Sequence, residues 1–447
     1  MPQVDTESRL SIDTQAVVTA QRDDFGKLKT LRRSIQEIAG DGKLVNLPAQ
    51  EEHVLFESSM YICTHVYGSA SGSRISEVYL WAGAEVSDAA ADDAFVLAKR
   101  VAKEAGAGQR SAPSITVIRQ AREPAAFCQA LGGILIVRRG SRASTSTKPY
   151  VLCGRSHMGH VAFDETDRNL TSLCSGYPYI VVKPVSLQHT RVFLWKGKDC
   201  SPEVLGSARL ISMDLDSSGS ITEVEQGNES ADFLSVFPPG TPLPDPSFGE
   251  QTTPIDLPTP RLFRIDALEP RRSSSSFLWA TSLISRARTS ASRPTSSASN
   301  SSSTLAPADQ GAQQATPRIE ATELLPFTQS DLEPEHISIL DANQAIYVLP
   351  GPLFNTSHHW QTLLAQACMF ANEYAMLVAS VEKRSAVPQA EMWIEDIPRE
   401  ARMVFRRWDD RRGLWGTGGM MAGKVSGGGD EGGRMISVLD VLDVICR

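Results

Sequence analysis

The chain has few cysteines and no pattern that would join them. Its 447 residues include seven cysteines, an odd number, and none lies in a Cys-x-x-Cys motif or at zinc-ligand spacing from a histidine. A disulfide framework and a structural zinc site are therefore not expected. The pattern is typical of reduced thiols in an intracellular protein.

Long hydrophobic runs are also absent. The first ten residues carry Asp5, Glu7 and Arg9 and no apolar core, so they do not resemble a secretory signal. No run approaches the ~18 apolar residues that a membrane-spanning helix requires. We expect a cytoplasmic protein without a transmembrane segment.

The chain has no excess of positive charge and no catalytic motif. Its formal net charge of −8 argues against nucleic acid as a partner of the whole chain. Two histidine pairs, at residues 157 and 160 and at residues 358 and 359, lie outside any HExxH context, and no GxSxG or P-loop motif is present. We expect a protein that is not an enzyme.

An internal repeat is present instead. Residues 78–83 (VYLWAG) are echoed by residues 192–197 (VFLWKG), and a helical stretch follows each copy. A second shared signature comes after the helix and contains Glu123 in the first copy and Glu229 in the second. Two signatures in the same order at similar spacing indicate a tandem of one domain type.

A third copy is more degenerate. Residues 346–351 (IYVLPG) take the place of the tryptophan-glycine strand, and residues 360–381 supply a helix. Pro398 corresponds to Pro124 of the first copy, but the tryptophan is lost. A length prior of roughly 150 residues per domain agrees with three copies.

These features divide the chain into six segments. The segments are a helical extension over residues 1–50, a first module over 51–142, a second module over 148–240, a proline-rich linker over 241–260, a third module over 261–412 and a glycine-rich tail over 413–447. Within the extension, the apolar spacing predicts an amphipathic helix over 23–39. A serine- and arginine-rich insert over 271–326 interrupts the third module. We expect disorder in the insert and the tail, because neither can bury enough apolar surface to offset its chain entropy.

The motifs resemble the gelsolin/villin repeat. That repeat has a Tyr/Phe-x-Trp-x-Gly strand end, a helix, a strand ending in Gly-x-Glu-Pro, and then Phe-x-x-x-Leu-Gly-Gly. Residues 78–85 with 122–133 match it best, and residues 192–237 match it well. Residues 44–58 further resemble a fungal group of large cytoskeletal proteins that carry degenerate gelsolin repeats at the C-terminus. The resemblance covers residues 44–412.

The resemblance implies an α+β fold of tandem modules. Each module would have a mixed central sheet between one long helix and one short helix. Trp81 and Trp195 would fill the core between sheet and helix, because a large aromatic side chain suits that space. Gly83 and Gly197 would permit the turn into the long helix.

Calcium binding is the family property that these residues argue against. Gelsolin repeats hold calcium with an Asp in the second strand and a Glu early in the long helix, because a hard cation needs carboxylate oxygens from two elements. The Asp position is occupied in the three copies by Ser59, Tyr177 and His336. The Glu position is occupied by Ala90 in the first copy and Val204 in the second. We therefore expect these calcium sites to be lost and no cofactor to be required.

One loop carries a rival calcium signal. Its spacing matches an EF-hand loop, with ligand positions at Asp214, Asp216, Ser218 and Glu225. An EF-hand needs a helix directly after the last ligand, and residues 226–228 break the chain there. A polar loop between a helix and a strand is the favoured interpretation, and a calcium loop is the alternative.

The resemblance implies binding to actin filaments, by side binding or barbed-end capping, in the organisation of the actin cytoskeleton. The exposed face of a long helix would make the contact. In the first module this helix presents Lys99, Arg100 and Lys103, and Arg110 follows it. We expect these residues to contact acidic actin or phosphoinositide headgroups; a solvated helix face is the alternative. Without the calcium sites, binding should be calcium-independent and should not sever filaments.

A second interpretation belongs to a different functional class. The degenerate repeats would serve as a non-enzymatic protein-interaction scaffold without actin affinity. Arginines over residues 399–412, among them Arg406, form a further basic cluster near Trp408. Actin affinity without calcium would favour the first function, and a partner other than actin would favour the second.

Overall fold

The structure, a computed structural model, consists of three β-sheets with helices packed on them. It describes residues 11–20, 28–68, 73–106, 113–144, 148–186, 189–215, 221–240, 259–268, 318–384, 386–394, 397–409 and 435–445. None of the helices among these residues is both long and apolar enough to cross a membrane.

The strands and helices follow one another in a recurring order. The strands are β1 (Lys29–Ile38), β2 (Leu44–Asn46), β3 (Val54–Phe56), β4 (Met60–Gly68), β5 (Arg74–Ala82), β6 (Ser114–Arg119), β7 (Ile134–Arg138), β8 (Tyr150–His157), β9 (His160–Thr166), β10 (Pro178–Pro184), β11 (Thr190–Lys196), β12 (Thr222–Glu225), β13 (Arg261–Leu268), β14 (Arg318–Leu324), β15 (Ile337–Asp341), β16 (Ala345–Pro350), β17 (Gln389–Trp393) and β18 (Met435–Ser437). The helices are α1 (Thr14–Thr19), α2 (Asp88–Ala105), α3 (Ala125–Ala130), α4 (Pro202–Leu215), α5 (Ala231–Leu234), α6 (Trp360–Val381), α7 (Arg399–Arg402) and α8 (Val438–Ile445).

The same five-strand order occurs three times. It is β2-β1-β4-β5-β6 in the first sheet, β9-β8-β10-β11-β12 within the second and β14-β13-β15-β16-β17 within the third. Neighbouring strands are antiparallel except the last pair, which is parallel and joined through a long helix: α2, α4 or α6. We call these units the first, second and third modules. The predicted α+β fold of tandem modules is confirmed, and so is the helix over residues 360–381.

Each sheet is covered on both faces, as the first module illustrates. Helix α2 begins after Ser87, whose side-chain oxygen accepts a hydrogen bond from the Ala90 amide. Its buried stripe consists of Ala91, Ala94, Ala98 and Ala102. Small side chains let the helix lie close to the sheet. The short helix α3 covers the opposite face, where it shares a core with the first tryptophan.

The second sheet also contains strands from the first module. Strand β7 pairs in parallel with β9, and β3 pairs in parallel with β7, which extends this sheet to seven strands. Leu135 and Val137 face the core of the first module, while Ile136 faces the core under α4. The first two modules therefore share backbone hydrogen bonds and side-chain packing.

The helix predicted over residues 23–39 is wrong. Residues 29–38 form β1, which pairs with both β2 and β4 near the centre of the first sheet. Only Ile35 of this strand is buried, and Leu31 is exposed, so the apparent helical stripe does not pack as one. Pairing on both edges satisfies the backbone and overrides the local pattern. The helix in this part of the chain is α1, at residues 14–19.

Two segments predicted to be disordered contain ordered elements. Residues 318–324, assigned to the insert, form β14 beside β13. Residues 435–445, assigned to the tail, form β18 and α8, and both α1 and α8 pack on α6. Partners distant in sequence bury these short apolar stretches, which composition alone does not reveal. Most of the remainder of both segments, and most of the linker, lies outside the described residues.

Candidate interaction surface

The predicted contact residues lie on the outward face of α2. Lys99, Arg100 and Lys103 are all exposed: Arg100 lies opposite the buried alanines, and Lys99 and Lys103 lie on the flank of the helix towards β6. Val96, one turn earlier, is exposed on the same face. The structure brings these residues together in one stripe, whereas Arg110 lies outside the described residues.

The charges of α2 are divided along its length. Three aspartates lie in its first half, where Asp88 pairs with Arg119, and the three basic residues lie in its second half together with Glu104. Basic side chains near a helix C-terminus also stabilise the helix through its dipole. The Lys99 ammonium lies 4.6 Å from the centroid of the Phe95 ring. No carboxylate of the described residues pairs with the three basic side chains, so they present positive charge to solvent.

The three residues aligned above with the calcium-binding Asp of the gelsolin repeat have other contacts. The Ser59 carbonyl accepts a hydrogen bond from the amide of the glycine that follows β5, at 3.1 Å. The Tyr177 ring lies 5.2 Å from the Arg155 guanidinium, and His336 Nδ1 lies 2.9 Å from Asp266 Oδ1. Across the described residues, no group of three or more His, Cys, Asp or Glu side chains is arranged to hold a metal ion.

The EF-hand-like loop is described only at its two ends. Asp214 belongs to α4 and Glu225 to β12, while Asp216 and Ser218 lie outside the described residues. Glu225 Oε1 contacts Lys196 Nζ at 2.9 Å. The predicted strand is confirmed, since β12 pairs with β11 in the register of the repeat. A strand at this place is incompatible with the second half of an EF-hand.

The two repeat signatures meet in space as a hydrogen-bonded pair. Trp81 Nε1 donates to Glu123 Oε1 at 2.8 Å, and Trp195 Nε1 donates to Glu229 Oε1 at 2.9 Å. The backbone amide two residues before each glutamate donates to the same oxygen. A buried indole N–H needs an acceptor, so each tryptophan requires its glutamate. This requirement explains why both signatures occur together although separate loops divide them.

The third module replaces this polar pair with an apolar one. Leu349 occupies the tryptophan position, and Ile397 precedes the proline that corresponds to Pro124. Both side chains are buried in the same hydrophobic cluster. Changing both members together leaves no unpaired donor or acceptor. The third module therefore keeps the packing of the other two, but with an apolar contact in place of the hydrogen bond.

Glu123, the glutamate of the first module, also takes part in a buried junction that joins all three modules. Arg406 Nη1 of the third module donates to Glu123 Oε2 at 2.6 Å. Its Nε and Nη2 atoms donate to the two carboxylate oxygens of Asp164 in the second module, at 2.9 and 2.8 Å. All three side chains are buried. Arg406, counted above in the basic cluster near Trp408, is therefore buried in a junction between modules, and this junction could not be read from local sequence.

Two further side chains complete this junction. Arg155 Nη1 donates to the carbonyl oxygen of Arg406 at 2.9 Å. His157 Nε2 lies 2.8 Å from the carbonyl oxygen of Glu123. Burial, and then the positive charge of Arg406, lower the pKa of His157 to about 4. His157 is therefore neutral in the folded protein near pH 7 and donates its Nε2 proton to the carbonyl.

The low pKa of His157 predicts a loss of stability in mild acid. The pKa rises from about 4 in the folded state to 6.5 in the unfolded state. Between these values the unfolded chain binds a proton that the folded chain does not, so the free energy of unfolding falls as the pH drops from 6.5 to 4. The loss amounts to about 3 kcal/mol. Urea unfolding across this range should show a shallower pH dependence for His157→Gln than for wild type. The exposed His189→Gln should behave as wild type; equal slopes for all three proteins would contradict the assignment.

Comparisons with known proteins find similarity to a family model and to solved structures. The family described as "Domain of unknown function (DUF7904)" matches residues 34–139, which run from β1 to β7. No curated protein matches the chain. Among solved structures, the chain is similar to the complex of Thorarchaeota 2DGel3 with rabbit actin. That match has 18% identity and a TM-score of 0.18, and it covers 46% of this chain and 100% of the other.

Proposed function

We propose that the chain binds actin filaments through the outward face of α2. The observation that carries the proposal is the exposed stripe of Val96, Lys99, Arg100 and Lys103 on a helix that packs on the first sheet. Binding occurs by side binding or barbed-end capping, and it does not sever filaments. The resemblance of the repeat motifs to the gelsolin/villin repeat supports the same conclusion.

The three long helices differ in what they offer a partner. Helix α6 is covered by α1 and α8. The outward face of α4 exposes Leu210 and Met213, and its Arg209 is paired with Glu223. Only α2, of these three helices, combines an exposed apolar side chain with three exposed cations that have no described partner. An apolar centre with a basic rim suits an acidic protein surface.

The chemistry of the positions at which a gelsolin repeat would bind calcium supports calcium-independent binding. A serine, a tyrosine and a histidine stand where carboxylates would be needed, and the histidine already contacts Asp266. The same basic stripe would attract phosphoinositide headgroups. Phosphoinositides should therefore compete with actin for α2.

Charge reversal on α2 is the test of this function. The variant Lys99→Glu/Arg100→Glu should bind filamentous actin roughly tenfold more weakly than wild type, because two attractive contacts become repulsive. Co-sedimentation over a range of actin concentrations measures the effect. Lys29→Glu, an exposed lysine of the same module on β1, is the matched control and should pellet as wild type does.

Two other results of this co-sedimentation experiment would contradict the proposal, and each has a different meaning. Equal pelleting of the double variant and wild type would remove α2 from the actin interface. Absence of wild-type pelleting would reject actin binding and favour the protein-interaction scaffold.

A further inference from the structure

The last strand of each module places one residue at an equivalent position facing the long helix. Val117 of β6 pairs with Leu80, and Glu223 of β12 pairs with Leu194. Met392 of β17 occupies the same place in the third module. Each of these strands is the last in the repeated five-strand order. A further strand would therefore pair with its outer edge.

The third module covers this edge with its own chain. Strand β18 pairs antiparallel with β17, and α8 continues from it to pack beside α6. Met392 is consequently only 6% exposed. The chain thus contains an example of the element that fits this edge: a short extended stretch followed by a helix. That helix carries two acidic residues, Asp440 and Asp443.

The second module protects the same edge with charge. Glu223 stands at the position of Met392 and pairs with Arg209 of α4 at 2.8 Å and with Lys196 at 3.0 Å. Charged residues on an edge strand discourage pairing with another chain. No additional strand is therefore expected at β12.

The first module has neither form of protection. Val117 is 48% exposed, and no strand among the described residues pairs with the outer edge of β6. The strand core, residues 115–118, is Ile-Thr-Val-Ile, a sequence with high β-propensity and no charge. Between this edge and α2 lies a groove of about 370 Å³, lined by Lys99, Ala102, Lys103, Gly106, Pro113 and Ile115.

We propose that β6 and this groove bind a segment of a partner protein that forms a strand followed by an acidic amphipathic helix. The strand adds to β6 as β18 adds to β17. The helix lies beside α2, where Lys99 and Lys103 face its acidic residues. Such a partner segment would resemble residues 435–445 of this chain, whose strand and acidic helix occupy the equivalent place in the third module. This site shares Lys99 and Lys103 with the proposed actin contact, whereas Val117 lies outside that contact and Val96 lies outside the groove.

A peptide of residues 434–447, with Cys446→Ser to prevent oxidation, serves as the probe. Fluorescence anisotropy of the labelled peptide measures its binding to the full-length protein. We expect saturable binding to wild type and a roughly tenfold or greater loss with Val117→Glu, which copies the protection of the second module. Lys103→Glu should also weaken binding, because it reverses the charge that faces the acidic helix.

Val96→Glu, on the outward face of α2, is the matched control and should bind the peptide as wild type does. Val117→Glu should in turn keep the wild-type melting temperature and actin affinity, because its side chain is exposed and lies away from the outward face.

Absence of peptide binding to wild type would overturn the proposal. Equal binding to Val117→Glu would overturn it as well, since the peptide would then be exchanging with α8 on the third module. Self-association of the wild type that Val117→Glu abolishes would assign the edge to a second copy and reject a different partner.

Discussion

Replacement of Arg406 by alanine is expected to lower the free energy of unfolding by about 3–5 kcal/mol. The arginine neutralises two carboxylates, Glu123 and Asp164, that are buried in different modules. Without it, both charges remain in a low-dielectric interior without their main cationic partner, and the third module loses its central contact with the other two. Arg406→Lys should recover only part of the loss, because an ammonium cannot reproduce the two-pronged bond to Asp164.

Urea unfolding followed by tryptophan fluorescence measures this effect, and limited proteolysis reports whether the third module separates first. The adjacent Arg407 provides the control. Its side chain is 40% exposed and approaches Glu57 only to 3.8 Å. Arg407→Ala should change the free energy of unfolding by less than about 1 kcal/mol. Equal effects of the two substitutions would show that the buried junction does not hold the modules together.

Substitution of Gly351 by alanine is expected to destabilise the protein by about 3 kcal/mol. A Cβ atom at this position would overlap the carbonyl oxygen of Pro334. Backbone surrounds the site, so no side chain can move aside. The same overlap, with the carbonyl oxygens of Glu57 and Ser175, occurs at Gly83 and Gly197. The shared close approach shows that the third module repeats the geometry of the other two although its tryptophan is lost.

Gly206 is the control for this substitution. It lies within α4, and nothing comes within 4 Å of a Cβ atom built there. Gly206→Ala should be neutral or should stabilise the protein by about 0.5–1 kcal/mol, because alanine is the better helix former. Thermal and urea unfolding of both variants provide the comparison. A neutral Gly351→Ala would contradict the proposed repeat geometry of the third module.

The features that the sequence predicted well depend on local chemistry. Ser87 and the alanine stripe specify α2, and residues 360–381 specify α6, because capping and helical periodicity act within a few turns. The tryptophan-glycine motif located the end of the fourth strand in the order of each module. Its glycine permits a close backbone approach in addition to the turn that the sequence suggested.

The features that the sequence missed depend on partners distant along the chain. Residues 29–38 show helical spacing but form a strand, because strands on both sides complete their hydrogen bonds. Residues 435–445 had no counterpart in the repeat and find their place on α6 and β17. Arg406 could not be distinguished from its arginine neighbours until the fold placed Glu123 and Asp164 around it. Of the candidate contact residues, the helix spacing placed Lys99 and Lys103 on one face as expected.

Co-sedimentation of the full-length chain with filamentous actin, in calcium and in a calcium chelator, tests the proposed function most directly. The full chain is needed, because a fragment limited to the first two modules and starting at residue 44 would lack both β1 and Arg406. We expect the same fraction of protein in the pellet under both conditions. Pelleting only in calcium would contradict the loss of the calcium sites, and protein that stays in the supernatant under both conditions would contradict actin binding itself.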